Sequence, residues 1–131
     1  MSGERRKTTL GTLFSKMNEG TPITMLTCYD YPTACFMEEA GLDIILVGDS
    51  LSNVILGYED TVPVTLDDMI HHIRAVRRGT DRVFVIGDMP FGSYQTGVEA
   101  ACRNAIRFHK DAGVDCIKLE GGTRVAPVIR A

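Results

Sequence analysis

Three short stretches of the chain set acids beside small residues or a lysine: Gly48-Asp49-Ser50, Gly87-Asp88 and Lys118-Leu119-Glu120. Each lies at the end of an apolar run that reads as a β-strand. In parallel α/β folds ligands bind at the carboxyl ends of the strands, so Asp49, Asp88 and Glu120 would share one rim. Lys118 and Glu120 are two apart, and the strand period of two points them to the same side. A lysine and two or three acids in a confined space need one another or a cation, because an unpaired buried charge is costly. Hard oxygen donors favour Mg²⁺, which is typically held by one or two carboxylates with water and substrate oxygens. Asp and Gly at strand ends are also ordinary turn chemistry, and each Gly-Asp pair taken alone reads as structural. Lys118 resists that explanation, since lysine is depleted from strands and seldom fully buried. Together the stretches point to a metal-assisted site.

Other chemistry-bearing residues have simpler readings. His71 and His72 are adjacent on a helix and cannot face one ligand together, so both are expected on the surface. His109 falls on an apolar helical face and reads as a satisfied core histidine. Met17, Met37 and Met69 fit core stripes, and Asp67-Asp68 suit the positive end of a helix dipole. Gly92 and Gly97 have neither the spacing nor the placement of a phosphate loop. The four cysteines, Cys28, Cys35, Cys102 and Cys116, form no C-x-x-C pair. Cys102 and Cys116 sit where small buried hydrophobes belong.

The elements that must position the acids follow from periodicity. Leu10, Leu13, Phe14 and Met17 predict a helix over 8–20, and Ile23–Cys28 a first strand. Asp30-Tyr31-Pro32 opens a helix that ends at Gly41, and 42–48 is a β-branched strand apolar on both faces after Asp43. A loop is expected over 49–64. Thr65 caps a helix with Leu66, Met69, Ile70, Ile73 and Val76 as its stripe, closed by Arg77-Arg78-Gly79. Val83–Ile86 is the third strand. The helix over 97–112 carries Val98, Ala101, Cys102, Ala105, Ile106 and His109 on one face. Val114–Leu119 is the fourth strand, and 123–131 begins another helix. The alternation calls for a parallel sheet with right-handed crossovers. An internal echo supports it: Glu39-Ala-Gly-Leu-Asp-Ile-Ile-Leu-Val47 matches Asp111-Ala-Gly-Val-Asp-Cys-Ile-Lys-Leu119. An open doubly wound sheet and the first half of a (β/α)8 barrel both fit. A full barrel needs about 250 residues. The last segment stops within a new helix, so the expectation is the N-terminal half of such a barrel. It would form one truncated domain over 1–131, with an extra N-terminal helix and four βα units over 23–122.

Composition agrees with a single globular domain: 131 residues, 44% hydrophobic and 24% charged, with a formal charge of −3. A mildly acidic chain has no general electrostatic footprint for nucleic acid or anionic membrane. No apolar run approaches the ~20 residues needed to span a bilayer. The basic start Met1–Lys7 is followed by too short an apolar stretch for a signal peptide. A soluble, cytoplasmic protein is expected.

At the strand ends the sequence resembles the ketopantoate hydroxymethyltransferase (3-methyl-2-oxobutanoate hydroxymethyltransferase) family. The stretches that carry the resemblance are Leu26-Thr-Cys-Tyr-Asp-Tyr31, Leu46-Val-Gly-Asp-Ser-Leu51 and Thr61-Val-Pro-Val-Thr-Leu66. His71-His72 with Ala75–Gly79, Gly87-Asp-Met-Pro-Phe-Gly-Ser-Tyr-Gln95 and Ile117-Lys-Leu-Glu-Gly-Gly122 complete them. The resemblance implies a (β/α)8 barrel that binds Mg²⁺ and an α-keto acid. It implies transfer of a hydroxymethyl group from 5,10-methylenetetrahydrofolate to 3-methyl-2-oxobutanoate, through a Mg²⁺-stabilised enolate, giving 2-dehydropantoate for pantothenate synthesis. Asp49, Asp88 and Glu120 match the family's metal-binding acids, and Asp49, Ser50, Asp88 and Lys118 its keto-acid contacts. The family's catalytic base is a glutamate of the second half-barrel, so no catalytic residue is expected in this chain. The chain alone is expected to be a poor catalyst. Two open sheet edges predict a homo-oligomer or poor solubility. Three other readings are another Mg²⁺-enolate barrel of the phosphoenolpyruvate mutase/isocitrate lyase type, a receiver domain, and a non-catalytic remnant of the transferase. The first is disfavoured by the Tyr29-Asp30-Tyr31 and Pro90–Gln95 segments. The second is disfavoured by Cys28-Tyr29 standing where receivers carry an acidic pair.

Overall fold

The computed structural model describes residues 6–131; residues 1–5, including most of the basic start, lie outside the described residues. Helix α1 (Leu10–Asn18) starts at a Thr9 capping box closed by Thr12. Strand β1 (Met25–Thr27) leads to α2 (Tyr31–Ala40), capped by Asp30 and ended by Gly41 at φ 79°. Strand β2 (Ile44–Val47) is followed by a one-turn helix α3 (Leu51–Val54) and then by α4 (Leu66–Arg78), capped by Thr65 and Asp68. Strand β3 (Phe84–Asp88), α5 (Val98–Arg107) and β4 (Cys116–Lys118) come next. A 3₁₀ turn over Gly122–Val125 runs into α6 (Ala126–Arg130). The four strands form one parallel sheet in the order β1-β2-β3-β4. Sequential order in an all-parallel sheet is the arrangement of a barrel half, whereas a doubly wound sheet reverses direction at a switch point.

The helices cover one face of this sheet. Ile45, Val47 and Val85 are fully buried there with Met69, Ile73, Val76 and Phe108. The other face carries Leu46, Ile86, Cys116 and Lys118 along a cavity of about 790 Å³. The β2 residues therefore alternate between full and partial burial; the strand is not sealed on both faces, as its composition suggests.

Several expectations change in three dimensions. The first strand is three residues long, because only Met25–Thr27 pairs with β2. The segment expected as loop contains α3, which the fully buried Leu51 and the Ser52 Oγ–H···O=C Asp60 bond of 2.7 Å anchor. Of the α1 stripe only Leu13 is buried, while Leu10, Phe14 and Met17 are exposed. The reason is that α1 runs across the N-terminal ends of the strands and is tied by polar contacts: Lys16 to Asp43, and Thr8 N–H to the Arg82 carbonyl. On α5 and the π-helical turn that extends it (Phe108–Ala112), the buried line runs through Ala101, Phe108 and Ala112. His109 is thus exposed rather than core, its Nδ1 bonded to the Val114 carbonyl at 3.0 Å. The alanines let the helix approach the sheet, so the line of closest contact passes through them and not through the larger Val98 and Ile106. Cys102 and Cys116 are half-buried.

The internal echo has a structural cause. Gly41 and Gly113 both turn the chain at positive φ, 79° and 77°. Two residues on, Asp43 Oδ2 accepts the Thr24 N–H (2.9 Å) beside β1, and Asp115 Oδ2 accepts the Val85 N–H (3.0 Å) of β3. Each carboxylate also holds cations that bind the N-terminal end of the sheet: Lys16 on Asp43, and Lys7 and Arg77 on Asp115. Burial alone would raise the Asp43 carboxyl, but Lys16 and the Thr24 donors outweigh it and hold the group below its ordinary 3.8. Glu38 behaves likewise, burial being outweighed by Arg82 and by the Arg82 and Val83 N–H groups, below its ordinary 4.5. Groups with lowered folded values contribute stability that is present above the unfolded values and lost as pH falls through the folded ones. The Asp43 and Glu38 contributions to the urea midpoint are therefore expected to be lost below pH ~4.5, with Asp43→Asn flattening the acid limb. Equal acid limbs in the two proteins would contradict this role for Asp43.

Candidate active site

The acids identified by spacing gather at the C-terminal end of the sheet. Asp88 ends β3 and Lys118 ends β4, and the two are register partners, so their side chains leave the same face. Lys118 Nζ donates to both Asp88 oxygens at 2.6 Å. The pair is asymmetric: the Asp88 side chain is 5% exposed and that of Lys118 44%. Asp49 reaches the same place from β2, its backbone N–H donating to Asp88 Oδ2 at 3.3 Å. Gly48 makes this approach possible, since a Cβ there would stand 2.9 Å from Ser50 Oγ and 3.9 Å from Asp88 Oδ2. Burial pushes the Asp88 carboxyl above its ordinary value, and the Asp49 carboxylate adds to that, against the pull of Lys118 and the Asp49 N–H. The anion at Asp88 is thus incompletely compensated by its one lysine.

Ser50 and Glu120 are held differently. Ser50 Oγ lies 2.7 Å from the Tyr29 hydroxyl, which comes from the end of β1. The backbone of Glu120 is pinned by Tyr94: its N–H donates to the Tyr94 hydroxyl at 3.2 Å, and that hydroxyl donates to its carbonyl at 3.0 Å. Tyr94 is buried in a loop that is itself fixed. Ser93 Oγ–H bonds the Pro90 carbonyl, Asn104 Nδ2–H the Ser93 carbonyl, and Gln95 Oε1 accepts the Gly92 N–H. Asp49 and Glu120 face a common mouth of about 300 Å³ beside Thr61 and Tyr94.

Among the described residues no three acidic, histidine or cysteine side chains converge as a closed metal cage. Asp49 and Asp88 come together; Glu120 lines the same mouth without joining them in such a group. Two carboxylates fit a hard divalent ion such as Mg²⁺, which normally leaves several positions to water and substrate. The desolvated, undercompensated Asp88 next to a second acid is the donor chemistry such an ion requires.

Three residues were misjudged or missed from the sequence. His72 is half-buried rather than on the surface, with Nδ1 2.8 Å from the Tyr29 carbonyl. Tyr29 and Tyr94 carry no spacing signal for their roles, because each acts on a residue of the next strand's loop. His71 is exposed and Asp67 and Asp68 lie in the first turn of α4, as expected; Asp68 also closes the Thr65 cap.

The chain is similar to known proteins along nearly its whole length. The family model for ketopantoate hydroxymethyltransferase matches residues 7–131. A 3-methyl-2-oxobutanoate hydroxymethyltransferase of Alkaliphilus metalliredigens is 62% identical over 109 residues, 83% of this chain and 39% of that protein. The protein of the same name from Desulfotalea psychrophila is 53% identical over 126 residues, 96% of this chain and 45% of its own length. The chain thus spans less than half the length of these curated relatives. Among solved structures, a 2,3-dimethylmalate lyase of the PEP mutase/isocitrate lyase superfamily superposes with a TM-score of 0.64 at 19% identity, over 91% of this chain and 40% of that one. A phosphonopyruvate hydrolase complex with oxalate and Mg²⁺ gives 0.63 at 16% identity, over 80% and 36%. At such identities the superpositions speak for the fold alone, which is that of part of a TIM barrel. Sequence identity separates the two enzyme groups that the strand-end acids left open, and the chain belongs to the ketopantoate hydroxymethyltransferase family.

Proposed function

We propose that this chain carries the metal- and keto-acid-binding portion of a 3-methyl-2-oxobutanoate hydroxymethyltransferase. The observation that supports it most is the buried Asp88 held by Lys118 and flanked by Asp49 at the open end of the sheet. Asp49 and Asp88 would hold Mg²⁺, with Glu120 as an acid near it. A bound Mg²⁺ would act as a Lewis acid toward the keto oxygen.

This chain's own residues would do the rest of the binding. Ser50 would donate to the keto acid, and the partly exposed Lys118 ammonium would offer its remaining N–H on the same side. Lys118 would also put positive charge next to the oxygen that gains negative charge when the C3 proton leaves. Charge placed in advance at that position lowers the cost of proton removal without reorganisation in the transition state. The overall reaction joins C3 of the keto acid to the methylene carbon of 5,10-methylenetetrahydrofolate. One water supplies the hydroxyl of the product, and tetrahydrofolate leaves. The group that takes the C3 proton is assigned to the barrel residues that the relatives carry beyond the matched region.

The expected behaviour of this chain is therefore binding without turnover. Calorimetric titration should detect 3-methyl-2-oxobutanoate only when Mg²⁺ is present. Deuterium uptake at C3 of the keto acid, followed by NMR, should stay near the rate in buffer. Metal-independent binding would remove the role of Asp49 and Asp88, and fast Mg²⁺-dependent exchange would place a base within this chain.

A further inference from the structure

Tyr29 stands apart from the acids, on a stretch of main chain that is held from several sides. Its carbonyl meets His72 Nδ1 at 2.8 Å; a carbonyl can only accept, so that nitrogen carries the proton. The residue before it is buried and paired to β2 through Cys28 N–H···O=C Leu46 at 3.0 Å. The residue after it is the α2 cap, Asp30, which accepts the Thr33 N–H at 2.8 Å. The main chain of Tyr29 is thus fixed on both sides and by α4, leaving only two side-chain torsions. Those torsions place its hydroxyl 2.7 Å from Ser50 Oγ.

We infer that Tyr29 is a positioning residue that orients the Ser50 hydroxyl toward the keto acid; this rests on the proposed function, in which Ser50 contacts that ligand. A serine hydroxyl has one proton to give and rotates freely when unpartnered. The phenol is the more acidic of the two groups and donates to Ser50 Oγ, which leaves the serine proton for an incoming anionic oxygen. Accepting one bond also polarises the serine O–H and makes it a better donor. The rotamer that brings Ser50 Oγ to the phenol depends on glycine at 48, since an added Cβ there would stand 2.9 Å from that oxygen. His72 belongs to the same device, since it anchors the segment that carries the phenol.

The test is calorimetric titration of the Mg²⁺-loaded chain with 3-methyl-2-oxobutanoate, comparing wild type, Tyr29→Phe, Ser50→Ala and the double variant. Thermal midpoints are taken with and without ligand. Tyr29→Phe keeps the ring and is expected to raise Kd about 10-fold, an ordinary effect for one hydrogen bond to a charged ligand. Ser50→Ala should cost as much or more, and the double variant no more than the worse single one, because the phenol acts only through the serine. The ligand-free midpoint of Tyr29→Phe should stay near wild type while the ligand-induced shift shrinks, which a purely structural role would not produce. Wild-type affinity in Tyr29→Phe, or losses that multiply in the double variant, would overturn the inference while leaving the site assignment intact. No binding by the wild-type chain, or a Ser50→Ala variant that binds normally, would overturn the assignment of Ser50 and this inference with it.

Discussion

Asp88→Asn is expected to weaken Mg²⁺-dependent binding of 3-methyl-2-oxobutanoate by about 100-fold, the scale seen when one member of a buried charge pair is neutralised. The substitution keeps the size and shape of the side chain and leaves an oxygen to accept the Asp49 N–H. What it removes is the negative charge. Mg²⁺ would lose the more desolvated of its two carboxylates, and Lys118 would be left with at most one of its two 2.6 Å acceptors. Stability should survive. The Lys118 side chain is 44% exposed, so its ammonium can take water in place of Asp88. Burial already disfavours the anion at this position, so a neutral amide is no worse desolvated. A thermal midpoint within a few degrees of wild type, together with lost binding, is the expected pair of results. Binding within a few-fold of wild type would remove Asp88 from the site, whatever the midpoint.

Phe108→Ala is expected to cost about 3–5 kcal/mol of folding free energy, the range for deleting a buried aromatic ring. Phe108 is fully buried at the start of the π-helical turn and packs against the strand that ends in Asp88. Gly87 shows how tightly: an added Cβ would stand 3.1 Å from the Phe108 ring, 2.9 Å from Val114 and 3.1 Å from Ile73. Native domains have only about 5–15 kcal/mol to lose, so the urea midpoint should drop steeply. The same packing predicts a coupling. Gly87→Ala overfills the wild-type core, a cost of ~1–3 kcal/mol, but in Phe108→Ala the methyl enters the vacated space. The double variant should be more stable than the sum of the single losses allows. A Phe108→Ala loss below ~1 kcal/mol, or strict additivity with Gly87→Ala, would show that the ring does not set this contact.

Much of the architecture was legible because it is written in short-range pattern. Asp30 and Thr65 cap their helices, Gly41 ends its own, and the apolar runs became parallel strands in the order read. The strand-end acids were legible for the same reason. A parallel strand followed by a helix must put its last residues at one rim, so Asp49 and Asp88 had to be neighbours wherever β2 and β3 paired. The Gly-x-Asp echo was visible as a repeat, although its purpose, a carboxylate accepting the N–H beside the preceding strand, was not.

What failed was the choice of face. Leu10, Phe14 and Met17 look like a core stripe, yet α1 lies across the strand ends and exposes them. His72 was placed on the surface with His71 because adjacent helix residues cannot face one ligand together, but one α4 residue later the ring meets the β1 loop. His109 made the opposite error, lying just off the line that Ala101, Phe108 and Ala112 bury. A helical period reports which residues share a side, while the side that is covered depends on where the helix lands.

The sequence by itself therefore determined the alternation of strands and main helices, the parallel sheet, the family, and the rim on which Asp49, Asp88, Lys118 and Glu120 stand. The tertiary structure decided which of them touch. Asp88 and Lys118 are 30 residues apart, Tyr29 and Ser50 21, and Tyr94 and Glu120 26. Such pairs meet only when strand register and loop path agree to within the ~3 Å reach of a hydrogen bond. No period within one segment encodes that agreement; it comes from the packing of helices on the sheet, which sets register and loop path together.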